Sequence, residues 1–158
     1  MKNLTPFLMT CVLLFGATAC QNPAKTSADA PETATTPVAQ APSPQATEAA
    51  LKDAQSETRR NQLNADIRAR EQRNNTFNDG KATNRSPNNL ESEVRSKLEA
   101  NIPAGHLTIA AAEDGTVTVS GTVAKKDQLA KIEPLAKQIK GVKTVVNKAT
   151  VAQSKTEG

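Results

Sequence analysis

One histidine and two cysteines stand in 158 residues, too few and too scattered for most side-chain chemistry. His106 precedes an alternating apolar run, with no second histidine and no nearby thiol, so no metal set of the usual ligand number can assemble. A surface or packing role is expected for that ring. Glu113 and Asp114 are adjacent acids before Gly115, where a hairpin tip explains them more simply than acid–base work. Ser120 has no base to activate it. Gly115, Gly121 and Gly141 do not open the strand-to-helix turn that a phosphate loop requires. These residue types point to a binding module with no catalytic group, no metal and no cofactor.

The first nineteen residues read as an export leader, signal peptide 1–19, and stay outside fold reasoning. Lys2 supplies the positive end. The apolar stretch from Phe7 to Ala19 is too short to cross a hydrocarbon core of about 30 Å as a helix. Two processing routes fit the small residues Ala17 and Ala19 before Cys20. Ordinary cleavage at an A-x-A spacing leaves a free thiol. Alternatively, Ala17-Thr18-Ala19-Cys20 resembles the lipobox of bacterial lipoproteins, with Ala17 where Leu usually stands. An unpaired thiol in an oxidising compartment is an awkward product, and Cys11 is lost with the leader. Acylation of Cys20 is therefore the expected route. At about 0.8 kcal/mol per buried methylene, two acyl chains suffice for stable anchoring. Gln21 rather than Asp after Cys20 resembles outer-membrane sorting, which implies an envelope protein facing the periplasm.

Residues 20–47 scatter Pro23, Pro31, Pro37, Pro42 and Pro44 among Ala, Thr, Ser and Gln, with Val38 the one large apolar residue. Such a stretch cannot offset its ordering entropy by burial, so a disordered tether is expected, with a reach of roughly 80 Å. Residues 48–75 lack Gly and Pro and favour helix. Their apolar positions are few, and the stripe through Leu63 and Ile67 continues into Arg70 and Asn74. A solvated helical spacer is expected. The alternative places Arg59, Arg60, Arg68, Arg70 and Arg73 on an anionic membrane. Residues 76–87 form a second linker ending at Pro87.

Residues 88–152 carry regular apolar spacing. Asn88 with Glu91 suits a capping box, and Leu90, Val94, Leu98 and Ile102 recur every four residues. Pro103 and Gly105 end that helix. Leu107 and Ile109, then Val117, Val119 and Val123, alternate across an Asp114-Gly115 turn, the pattern of a half-buried hairpin. A second helix runs from an Asp127 cap to Lys140, with Leu129, Ile132, Ala136 and Ile139 on one face. Pro134 inside it predicts a kink near Ala130 or a late start, and Gly141 suits the left-handed terminator. Val145, Ala149 and Val151 mark a last strand, which the helical crossover sets parallel to a hairpin strand. The predicted fold is α+β, a small α-β-β-α-β module. Its three-stranded mixed sheet is covered on one face by two helices and presents Thr116, Thr118, Ser120 and Thr122 on the exposed face. A disordered tether and a solvated helix precede it, and residues 153–158 form a disordered tail.

This order, with V-T-V-S-G at 117–121 and K-G-V-K-T-V-V-N at 140–147, resembles the BON (bacterial OsmY and nodulation) domain over about two-fifths of the chain. The resemblance implies the same arrangement, structural motif roles for Gly121, Gly141, Val142 and Asn147, phospholipid interaction and a part in envelope integrity under stress. The net charge is +4, yet there is no Trp and no Tyr, and only Phe77 outlasts the leader. Bases have no aromatic platform to stack on, and export argues further against nucleic acid. Membrane phospholipid is the expected partner. Lys126, Lys137 and Lys140 fall within about 60° beside the second helix's apolar face and are its candidate contacts. Glu133 shares the sector, and a merely solvated face is the alternative. Other envelope proteins could pair with the sheet edge. Nothing in the spacing sets the oligomeric state. As a prediction, intact mass of the native protein will show an acylated Cys20 at its N-terminus, and Cys20→Ser will move the protein from membrane to soluble fraction. An unmodified Cys20 overturns the assignment.

Overall fold

The computed structural model describes residues 24–34 and 43–152. In chain order these form β1 (Ala24–Lys25), α1 (Pro44–Gln55), α2 (Glu57–Phe77), α3 (Pro87–Asn101), β2 (His106–Ala111), β3 (Thr116–Val123), α4 (Lys126–Ala136), β4 (Thr144–Asn147) and β5 (Thr150–Val151). Alternation along β2 and β3 turns every second side chain to one face. The two strands pair antiparallel with Ile109 opposite Val119. Asp114 closes the turn between them by accepting from the Thr116 amide at 2.8 Å. The α4 crossover returns β4 and β5 parallel to β3, with Val117 opposite Val145 and Val123 opposite Val151. Asn147 accepts from the Ala149 amide at 3.0 Å, which interrupts the last strand and divides it in two.

The core lies between this sheet and the two helices α3 and α4. Leu90, Val94 and Leu98 of α3, Ile132 and Ala136 of α4, and Leu107, Ile109, Val117, Val119 and Val123 of the sheet are all fully buried. Each large aliphatic side chain among them stabilises the fold by about 1.5–3 kcal/mol. Gly121 sits opposite Leu107 within the pairing. A Cβ there would lie 2.0 Å from the His106 carbonyl oxygen, and its φ of +119° is one that side chains rarely adopt. Only glycine allows β2 and β3 to close this tightly.

Several expectations are corrected. The sheet has five strands rather than three, because residues 24–25 of the expected tether add β1 to the β2 edge and the expected last strand is divided into β4 and β5. The second sheet face is not fully open: Thr108, Ser120 and Thr122 are buried, and Thr116 and Thr118 are partly buried. The arginine-rich segment is two helices, parted at Ser56, whose hydroxyl caps α2 by accepting from the Arg59 amide at 3.1 Å. α2 is not merely solvated, since Leu63 and Asn74 are buried. α3 begins at Pro87 with Ser86 at the cap position, not Asn88, and Glu91 accepts from the Ala111 amide at 2.9 Å instead of closing a capping box. α4 is capped at Lys125 rather than Asp127. The Gln128 side chain accepts from the Ala124 and Lys125 amides, both at 3.0 Å. That helix ends at Ala136, two residues past Pro134. The last turn to Ile139 is tightened by i→i+3 bonds such as Ile139 to Ala136 at 3.1 Å.

Gly121→Ala will lower stability by about 3 kcal/mol through clash and backbone strain, read as a lower urea midpoint. An unchanged midpoint contradicts the close-approach explanation.

Candidate functional site

All seven lysines between residues 125 and 148 are exposed, against two carboxylates, Asp127 and Glu133. Lys125, Lys126 and Lys131 lie at the cap and within α4, Lys137 and Lys140 at its end and in the turn after it, and Lys143 and Lys148 on either side of β4, the sheet edge farthest from β1. Lys126 opens α4 and Lys137 follows its last residue, so about 16 Å of helix separates them. Lys137 is paired with Glu133 at 2.7 Å. Lys140 lies beyond the end of α4, so the helical phase that grouped it with the other two does not apply. The three lysines form a dispersed basic edge, not a single patch.

Beside that edge lies a buried ionic junction. Arg85 is 1 % exposed at its side chain and Glu93 0 %, and they meet at 2.5 Å. The Arg85 guanidinium also reaches Glu71 of α2 at 3.1 Å and donates to the Lys140 carbonyl at 3.0 Å. One side chain thus ties the linker to α2, α3 and the turn after α4. Gly141 makes room for it: a Cβ there would lie 2.7 Å from Arg85 Cγ. Burial raises the Glu93 carboxyl to about 7; Arg85 opposes this and Glu71 adds to it. Glu93 Oε2 is buried with no hydrogen-bond partner, which agrees with a carboxyl that holds its proton easily.

Further ionic contacts lock α2 to α3. Arg59 meets Glu99 at 2.6 Å, and Arg70 reaches Asp66 at 3.0 Å and Asn89 at 2.9 Å. Asp66 accepts from Ser96 at 2.9 Å and Ser92 at 3.1 Å. Burial pushes Asp66 upward, but Ser96, Arg70 and Ser92 outweigh it and hold this carboxyl below its ordinary value. Two of the five clustered arginines, Arg59 and Arg70, are therefore committed to the interior contact, while Arg60, Arg68 and Arg73 stay exposed.

The family-motif positions have structural work. Gly121 and Gly141 permit close approach, Val142 packs on the core, and the Asn147 amide donates to the Leu129 carbonyl at 3.4 Å. His106 begins β2 and is buried, with Nδ1 2.7 Å from the Ser27 hydroxyl. Burial holds its pKa below the imidazole range, opposed by Asp29. A cavity of about 260 Å³ opens between residues 26–29, α1 and the end of α3. Arg59 already serves two of its acids, Glu99 and Asp53. Among the described residues no group of three His, Cys, Asp or Glu is placed to hold a metal, and no helix is long and apolar enough to cross a membrane. Cys20 and residues 153–158 lie outside the described residues. Sequence reasoning missed Arg85 and Glu93; the one signal was an arginine in the linker eight residues ahead of a helical glutamate.

A mixed sheet with two helices on one face and glycines at its close approaches defines a small α+β module. Residues 86–153 match the family model of the BON domain. No curated protein matches the chain, and no solved structure does.

Folded Glu93 holds its proton more tightly than the unfolded chain, whose carboxyl titrates near 4.5. Stability should therefore fall as pH rises from about 4.5 to 7 through this group. The difference in unfolding free energy between wild type and Glu93→Gln will shift against wild type across that interval. A pH-independent difference contradicts the raised carboxyl.

Proposed function

We propose that the protein is a non-catalytic envelope lipoprotein, anchored through Cys20, whose BON domain engages the phospholipid surface and supports envelope integrity under stress. The carrying observation is the BON match at residues 86–153, a family associated with phospholipid, the bacterial envelope and stress. The exposed lysine edge supports it. Near an anionic leaflet each such charge contributes about 1 kcal/mol and is screened by salt. Lys126, Lys137 and Lys140 together supply about 3 kcal/mol, an affinity in the millimolar range or weaker. The pair with Glu133 reduces the share of Lys137. Binding this weak becomes effective when an anchor keeps the module at the bilayer and raises its effective concentration.

A second reading, an adaptor for another envelope protein, draws on Val146. It is one of two large apolar side chains exposed among the described residues, and it lies on β4 at the sheet's edge, where strand addition is possible. The two readings separate in one experiment on the soluble Cys20→Ser chain. Co-sedimentation with anionic vesicles at low salt will exceed that with neutral vesicles, and changing Lys126, Lys137 and Lys140 to Gln will remove most of the difference. Equal binding to both vesicle types rejects the lipid reading and leaves the adaptor.

A further inference from the structure

Residues 24–34 lie in a proline-containing stretch with the composition of a tether, yet they are built into the sheet. Ala24 and Lys25 pair antiparallel with Ile109 and Thr108. Thr26 extends the pairing. Its amide donates to the Leu107 carbonyl at 2.8 Å, and its hydroxyl accepts from the Leu107 amide and donates to the Gly105 carbonyl, both at 2.8 Å. The chain then crosses the sheet's second face. The Thr108 hydroxyl donates to the Pro31 carbonyl, and the Ser120 hydroxyl to the Thr33 carbonyl at 3.4 Å. Ala30 and Ala34 are buried at 4 % and 3 % exposure. Most of these contacts are made through main chain or hydroxyl groups, and the buried apolar side chains of the segment are two methyls. Such a segment is positioned by the sheet but held with little apolar burial, which places it at the low end of local stability.

We propose that residues 24–34 are a releasable strap that sets the length of the leash between Cys20 and the module, an inference that rests on anchoring at Cys20. With the strap docked, three residues, Gln21, Asn22 and Pro23, separate the anchor from β1, a span of at most about 14 Å. With it released, the next fixed point is Ser43, which caps α1, and the leash lengthens to roughly 70 Å. Docking also sets orientation. β1 and β4 are opposite edges of the sheet, so the docked strap brings the anchor in at the edge away from the lysines. Release frees the lysine edge to turn toward the bilayer. The strap is thus a switch between a short, oriented leash and a long, free one.

Trypsin reads the switch directly, because Lys25 is the first cleavage site after Cys20 and Lys52 the next. The chain from residue 20 carries Cys20 as its one thiol, which can be coupled to a maleimide phospholipid in vesicles. Cleavage after Lys25 then frees a product beginning at Thr26. Ala30→Glu, which puts a charge where a buried methyl sits, will speed that cut about tenfold or more, since cleavage follows the population of the open form. Ala30→Ser will preserve protection, and an unchanged urea midpoint of the module will show that Ala30→Glu has not unfolded it. Neutron reflectometry of the coupled protein will place the Ala30→Glu layer farther from the bilayer than wild type. If wild type and Ala30→Glu are cut at one rate, equal to that of an unstructured peptide of residues 20–34, the strap is overturned. Protection of the soluble Cys20→Ser chain reports the strap alone. An unacylated native Cys20 would instead overturn the anchoring reading, and the leash role with it.

Discussion

The rest of the structure hangs on the buried contact between Arg85 and Glu93. α3 is enclosed on two sides: its aliphatic stripe lies on the sheet, and Glu93, Ser96 and Glu99 on its other side are buried as well. A charge taken from water is costly unless a partner and hydrogen bonds accompany it, and removing one member of such a pair costs about 3–5 kcal/mol. Glu93, Glu71 and the Lys140 carbonyl together meet this need for the buried Arg85 guanidinium, and the same contacts fix α2 and the turn after α4. Because that turn leads into β4, the ionic junction also sets where the basic edge of the module begins.

Arg85 stands one residue before the segment that matches the BON family. The physical unit is therefore larger than the matched segment. α2 adds a third layer whose attachment is chiefly ionic and hydrogen-bonded, through Arg59, Asp66 and Arg70, with Leu63 as its buried apolar contribution. Contacts of this kind fix geometry more strongly than they add stability, since desolvation offsets most of the Coulombic gain. A fragment begun at residue 88 would lose Arg85 and α2 together and leave Glu93 and Glu99 facing water without them.

The sheet is likewise used on both faces, for different purposes. Its apolar face holds the core under α3 and α4. Its hydroxyl-bearing face carries the segment from 26 to 34, where Thr108 and Ser120 address carbonyl groups rather than side chains. Main-chain recognition of this sort tolerates varied sequence and needs little apolar burial. It explains how a stretch rich in proline and small residues lies ordered on the module. One edge of the sheet thus belongs to the incoming chain, and the opposite edge, with Val146 and the lysines around it, remains open to solvent.

The aliphatic spacing of Leu90, Val94, Leu98 and Ile102, and the alternation through Val117, Val119 and Val123, determined the α-β-β-α-β order. Burial of one face imposes a period that sequence displays directly. The burial of Glu93 and Glu99 is not legible in that spacing, because a charged residue shows no sign of burial until its partner is known. Those partners lie on other elements, Arg85 eight residues away and Arg59 forty, so only the tertiary structure could name them. Gly121 was legible as a motif residue, whereas its cause, the His106 carbonyl, belongs to the neighbouring strand. Lys140 was grouped by a helical phase that ends at Ala136, after which the chain closes in a tighter turn, with Gln138 bonded to Leu135 and Ile139 to Ala136. For the tether, composition pointed to disorder, since residues 24–34 bury too little to order themselves. Their order comes from an edge strand with unpaired main-chain groups and a face of hydroxyls, both supplied by residues more than seventy positions away.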